Sequence, residues 1–264
     1  MNKFWGLLKR EHMLHGAYSF TILAILLFVL IFLPIGFEQY NSNYDAERTR
    51  LIAVFGCAIA IVGNAIFMTI ASINKDVKIK DLWLPNSQSF YRLVGVKFIY
   101  QAVVMFLLST INFIGLFFVG DIVEGTAVQL LTLAVFYFYV TISVFIFFSI
   151  LILIFESFLK QLTIWIGKLS YIVGFAVVFF ILEFSDSLPS ATFLQIGKVN
   201  ASKLNEYFPT FNDSSIYLDA FMDFYIVEEL FYIGVFALLY VIGCKWLERV
   251  ITRWRWILQK IAPF

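Results

Sequence analysis

As a string of apolar and polar positions, the chain falls into six apolar runs separated by polar breaks of unequal length. The runs cover residues 17–37, 51–73, 98–120, 127–155, 169–184 and 224–243. An α-helix needs ~20 residues to cross the ~30 Å apolar core of a bilayer, so each run predicts a membrane span. The fourth run is overlong and predicts a tilted helix, whereas the fifth is only just long enough. Gly56, Ala60 and Gly63 sit at close-packing spacing on the second run and predict a helix neighbour there.

The two ends follow a different pattern. In 1–16, Phe4, Trp5, Leu7, Leu8 and Leu14 cluster on one side of a helical wheel, and Lys3, Lys9 and Arg10 on the other. In 245–264, Leu247, Val250, Ile251, Trp254, Ile257, Leu258 and Ile261 form an apolar arc against Lys245, Arg249, Arg253 and Lys260. Both patterns predict amphipathic helices lying flat in a headgroup layer. Glu11, His12 and His15 fall within the first apolar arc, out of pattern. Glu11 and His15 are one helical turn apart and so placed to pair, but two His and one Glu make too thin a set for a metal centre.

Composition agrees with a lipid solvent. The chain is 61% hydrophobic and 14% charged, and a core of this size cannot hide so much apolar surface from water. The net charge of +1 conceals an uneven distribution. Of the 19 Lys and Arg, only Arg48, Arg50, Lys198 and Lys203 fall outside segments 1–16, 74–97, 156–168 and 245–264. The positive-inside rule therefore puts those four segments in the cytoplasm, with both termini inside, and leaves the acidic segments 38–50, 121–126 and 185–223 outside. The expected fold class is thus all-α: a single polytopic domain of six spans with a cytoplasmic interfacial helix at each end, in the cell membrane. Cys57 and Cys244 lie within or at the end of apolar runs, so no disulfide is expected, and no signal-peptide cleavage site is evident.

Candidate chemistry is sparse. The chain has no phosphate-binding Gly-x-x-x-x-Gly-Lys-Ser/Thr loop, no His-Glu-x-x-His pair and no Gly-x-Ser-x-Gly elbow. No catalytic residue, metal ligand or cofactor site is predicted in the chain itself, and nothing in it calls for nucleic acid. The centres of the runs hold no Asp, Glu, Lys, Arg or His, which argues against a proton- or ion-coupled carrier and leaves open only Na⁺ sites built from carbonyls. What remains there is weakly polar, namely Asn64, Asn112, Thr132, Tyr137, Thr141 and Ser143. These residues either hydrogen-bond between helices or line a path for an amphipathic cargo. Glu228 and Glu229, at the outer end of the last run, are either solvated at headgroup depth or gate such a path.

The most informative stretch is 74–97, a polar break rich in Lys and Arg between the second and third runs. Within it Ile79, Leu82 and Trp83 share one helical face, and Pro85 ends that helix because the residue before a proline is driven out of the helical conformation. A short amphipathic helix joining two spans suits contact with a cytoplasmic partner. A solvated loop resting on the headgroups is the alternative. The run Asp81-Leu82-Trp83-Leu84-Pro85-Asn86-Ser87, followed by Tyr91-Arg92-Leu93 and Lys97, resembles the bridge of ABC-2 type exporter permeases, an acidic residue, Leu-x-Leu-Pro-x-Ser, then Lys. The whole layout is similar to that family, and the nearest resemblance is to exporters of phenol-soluble modulins, which are short amphipathic peptides.

That resemblance implies an ATPase-coupling role for Lys80, Asp81, Leu82, Trp83, Leu84, Pro85 and Glu11. It also implies cytoplasmic ABC ATPase subunits as partners, which bind the ATP and Mg, and a second permease copy or a related permease to complete the pore. The chain departs from the pattern at Asn86 before the Ser and at Lys80, where an acid is frequent. Two rivals stand beside this reading: a permease that expels a lantibiotic or other antibiotic for self-protection, and a membrane scaffold or sensor that transports nothing.

Overall fold

The structure is a computed structural model, and it describes residues 3–40, 46–78, 89–116, 127–185, 198–199 and 224–261. Six helices account for nearly all of them. These are α1 (Lys3–Tyr40), α2 (Ala46–Lys78), α3 (Phe90–Leu116), α4 (Ala127–Ile166), α5 (Ser170–Ser185) and α6 (Ile226–Ile261). Apart from the two-residue strands Lys198–Val199 and Phe224–Tyr225, every described element is helical. Among the described residues, five stretches are long and apolar enough to cross a membrane: Phe4–Phe32, Ala53–Asp76, Phe90–Gly115, Leu133–Val177 and Ile226–Thr252. The chain is a polytopic helical membrane protein.

The structure corrects the expected layout in three places. The fifth run is present as α5, but its 16 residues rise only ~24 Å, short of the ~30 Å apolar core, so five helices rather than six meet the criterion for a span. Neither terminal amphipathic segment is a separate helix. α1 passes Gly16 unbroken and α6 runs on past Lys245, because a lone Gly costs a helix only about 1 kcal/mol and no Pro intervenes at either junction. Residues 156–166, expected as an inner loop, are the last turns of α4. There Glu156 and Lys160 pair one turn apart at 3.1 Å, and the helix ends only at Gly167, whose φ of +61° suits a residue without a Cβ.

The described residues form two compact units. The first holds α1, α2 to Ser72, α3 from Gly95 and α4 to Ile146. Its core cluster is Leu26, Cys57, Ile61, Val62, Ala65, Met105, Leu108 and Phe145. Contact order fixes the helix directions. Glu11 bonds Ser72, and the same number of residues further up α1 and back down α2, Leu26 and Cys57 share the core, so these helices are antiparallel. Glu11 with Lys97, His12 with Tyr100 and Leu30 with Gly115 advance together, so α1 and α3 are parallel. Phe98 with Phe145 and Phe113 with Phe138 make α3 and α4 antiparallel. The Gly56, Ala60 and Gly63 stripe is exposed, with nothing within 4 Å of a Cβ built on either glycine, so the predicted neighbour is absent among the described residues.

The second unit holds residues 73–94, 147–198 and 224–264. After the turn at Gly167 the chain folds back on itself. Thr163 and Ser170 share a 2.9 Å hydrogen bond, and Gly174 lies so close to Leu159 that a Cβ would collide with its side chain, so α4 and α5 form an antiparallel hairpin. α4 and α6 run the same way, because Phe147 packs on Phe236, Leu153 on Gly243 and Phe158 on Trp246.

Candidate functional site

The first unit carries a buried charge cluster built from three helices. Lys97, on α3, is the largest fully buried side chain in the described chain, with 1% of its surface exposed. Its Nζ donates to Glu11 Oε1 on α1 at 2.9 Å and to Ser72 Oγ on α2 at 2.6 Å. Ser72 Oγ in turn donates to Glu11 Oε2 at 2.7 Å, which closes a ring of three side chains. Arg10 Nη2 lies 3.1 Å from Glu11 Oε1, and His15 Nε2 3.7 Å from Oε2. His12 Nδ1 lies 3.5 Å from the Tyr100 hydroxyl beside the ring. A buried carboxylate needs a cation and hydrogen bonds to replace its hydration, and Glu11 has both.

The sequence explains why the cluster forms where it does. Glu11 and His15 break the apolar arc of α1 on one face, and that face is the one α1 turns inward, leaving Trp5, Met13 and Phe20 outside. Ser72 comes six residues before the end of α2 at Lys78, and Lys97 seven residues after the start of α3 at Phe90. The ring therefore ties α1 to the pair of helices between which residues 79–88 run.

A second polar cluster lies toward the other end of the same helices. Asn112, fully buried on α3, donates from Nδ2 to the Val54 carbonyl of α2 and to the Tyr137 hydroxyl of α4, each at 3.0 Å. Phe113 packs on Tyr137 with ring centroids 5.5 Å apart. Thr141 is buried, and its hydroxyl closes on its own helix at the Tyr137 carbonyl, 2.6 Å away. Asn112 and Tyr137, two of the weakly polar residues of the apolar runs, thus bond between helices. Asn64 is half-buried on α2.

The second unit has its own polar contacts. Asn74, at the start of the stretch 74–97, donates to Glu156 Oε1 at 3.3 Å and accepts from Lys160 Nζ at 2.5 Å. Tyr240 donates to the Tyr91 carbonyl at 2.8 Å, and Trp246 Nε1 donates to Gln161. Glu228 accepts from Tyr232 one turn along α6 at 3.0 Å, and Glu229 is half-buried beside it. Glu228 and Glu229 belong to the second unit, and Asn112 and Tyr137 to the first.

Six of the residues expected to couple to an ATPase, Lys80, Asp81, Leu82, Trp83, Leu84 and Pro85, lie outside the described residues. Glu11 is described, and it does not face outward: 2% of it is exposed, and its partners are Lys97 and Ser72 of the same chain. Sequence reasoning counted Lys97 as part of a cytoplasmic charge run and passed over Ser72. The available signal was the misfit of Glu11 in an apolar arc, which required a buried cation elsewhere. No group of His, Cys, Asp and Glu suited to a metal ion occurs among the described residues. Against family models, curated proteins and solved structures alike, the chain finds no match.

Proposed function

We propose that this chain is the membrane-spanning permease subunit of an ATP-driven exporter of ABC-2 type, and that its cargo is an amphipathic peptide. The observation that carries the reading is the polar ring of Glu11, Ser72 and Lys97, which ties α1 to the helices that precede and follow the segment 79–88. In this reading Leu82, Trp83 and Leu84 dock on a separate ATPase that holds the ATP and Mg. Two copies of the permease form the pore about a two-fold axis.

In this reading both termini lie in the cytoplasm, as the distribution of basic residues favours. An amphipathic peptide concentrates in the inner leaflet according to its apolar face and enters from there rather than from bulk water.

The test is co-purification followed by transport. The tagged chain, extracted in mild detergent, recovers an ATPase bearing a phosphate-binding loop, and the complex in vesicles moves a fluorescent amphipathic peptide only with ATP. A lantibiotic moved in preference to the peptide would shift the cargo assignment. A chain that never recovers an ATPase would leave the scaffold or sensor reading in its place.

A further inference from the structure

The second polar cluster of the first unit leaves part of its hydrogen-bonding capacity unspent. Asn112 Nδ2 has two protons, and both are committed, one to the Val54 carbonyl and one to the Tyr137 hydroxyl. A carbonyl only accepts, so the amide cannot be turned over without setting Oδ1 against the Val54 oxygen. Oδ1 is buried and accepts no hydrogen bond from the protein. The Tyr137 oxygen accepts from Asn112, which leaves the Tyr137 proton to go elsewhere.

Ser109 lies three residues before Asn112 on the same face of α3 and is fully buried. The hydroxyls of Thr69, Thr110, Thr141 and Ser157 turn back to the carbonyl four residues earlier in their own helices. Ser109 does not. Its Oγ faces the Tyr137 hydroxyl without closing a hydrogen bond of ordinary geometry. The seam between α3 and α4 therefore holds an acceptor in Asn112 Oδ1, a donor in the Tyr137 O–H, and in Ser109 Oγ a group able to do either.

Whatever completes this set has to donate and accept. A cation offers the Tyr137 proton no acceptor, and these residues include no carboxylate to balance its charge. An anion takes that proton but leaves Oδ1 unmet. The smallest neutral molecule that does both is water, and three polar partners is the usual number for a buried one. Leaving an acceptor unpaired in apolar surroundings costs more than immobilising one water, so the exchange is favourable.

We infer that Ser109, Asn112 and Tyr137 bind a single water molecule between α3 and α4. The water accepts from the Tyr137 hydroxyl, donates one proton to Asn112 Oδ1 and the other to Ser109 Oγ. The bond from Asn112 to Val54 carries the connection on to α2. The exporter reading plays no part in this site.

The experiment is infrared spectroscopy of the full chain in lipid nanodiscs, hydrated first with D2O and then with D2¹⁸O. Only the O–D stretches of water move with the oxygen isotope, so a held water is separated from every protein band. Difference spectra are taken between the parent and Ser109→Ala, Tyr137→Phe and Thr110→Ala. Thr110 bonds the Phe106 carbonyl of its own helix and so serves as the control. A narrow isotope-sensitive band is expected in the parent, lost or shifted in Ser109→Ala and Tyr137→Phe, and unchanged in Thr110→Ala. Labelling Asn with ¹³C at Cγ, with Asn112→Leu subtracted, gives a second readout: the Asn112 carbonyl band rises in frequency in Ser109→Ala. An isotope-sensitive band that is absent from all four proteins, or the same in all four, would overturn the site. So would a carbonyl band that rises in Ser109→Ala with no water band altered, since that marks a direct bond between Ser109 and Asn112.

Discussion

Replacing Lys97 by Met removes one charge from a closed ring and keeps most of the side-chain volume. In the parent, Lys97 Nζ bonds Glu11 at 2.9 Å and Ser72 at 2.6 Å, and the two charged side chains are only 1% and 3% exposed. Too little surface remains for water to take over. After Lys97→Met the Glu11 carboxylate keeps Ser72 and Arg10, and the Arg10 side chain is 24% exposed, so it compensates only in part. Breaking one side of a buried ion pair costs about 3–5 kcal/mol, and the residual contacts put this case near about 3 kcal/mol. At about 2–4 °C per kcal/mol for a chain of this size, the melting midpoint in micelles falls by roughly 6–12 °C. The double variant Glu11→Leu with Lys97→Met removes both charges and recovers most of that loss, to within about 1 kcal/mol of the parent, because a buried pair and a packed apolar pair are close in free energy. The assay is a thermal scan of the four proteins in one detergent. A Lys97→Met midpoint within about 2 °C of the parent, or a double variant as unstable as the two losses added, refutes the argument that the ring is a coupled, desolvated unit.

The remaining predictions concern other contacts. Asn112→Leu loses the bonds to Val54 and Tyr137, each worth about 0.6–1.7 kcal/mol between membrane helices, so it destabilises by about 1–3 kcal/mol, and Tyr137→Phe by less, read by the same thermal scan. Gly174→Ala drives a Cβ into Leu159 and costs about 1–3 kcal/mol, a loss that Leu159→Ala in the same chain offsets because it vacates the contact. If the exporter reading holds, Trp83→Ala weakens ATPase capture by about 2 kcal/mol, roughly 30-fold in affinity, while leaving the thermal midpoint unchanged.

The helices and the lipid environment were legible in the sequence because both rest on run length and hydropathy, which a chain displays locally. Helix ends were less legible. Gly16 and Lys245 looked like boundaries because the charge pattern changes there, yet neither residue carries the means to stop a helix, and α1 and α6 continue through them. Gly167 is a real stop, and its signal was hidden inside a segment read as loop from its charges alone. The partners of Asn112 were foreseen only as a class, since a hydrogen bond between spans can be anticipated from a buried amide but not addressed to Val54 or Tyr137 without the register. Lys97 was misplaced for a related reason. A basic residue at the edge of an apolar run reads as solvated, and only the opposing Glu11 reveals that it is buried.

That pairing bears on how the first unit finds one arrangement among many. Its helices are so apolar that sliding one along another by a turn exchanges one greasy contact for another, and lipid fills whatever gap results. Apolar packing therefore specifies register weakly here. Polar groups do so strongly, because a slip of one turn, ~5.4 Å, takes each out of hydrogen-bonding reach. The unit has two such points on the α2–α3 pair: Ser72 with Lys97 toward one end, and Val54 with Asn112 toward the other. α1 joins at the first point and α4 at the second, through Glu11 and Tyr137. The two inner helices are thus pinned at both ends, α1 is held near the first point by Glu11 and by His12 at Tyr100, and α4 is held at the second. A perturbation of Asn112 should accordingly loosen α4 and leave Glu11 bonded to Lys97, whereas loss of Glu11 should free α1 and leave Asn112 bonded to Tyr137. Hydrogen exchange on the Glu11→Gln and Asn112→Leu variants reads the two effects separately. Equal deprotection of α1 and α4 in both would mean that the pins act through a single cooperative core instead.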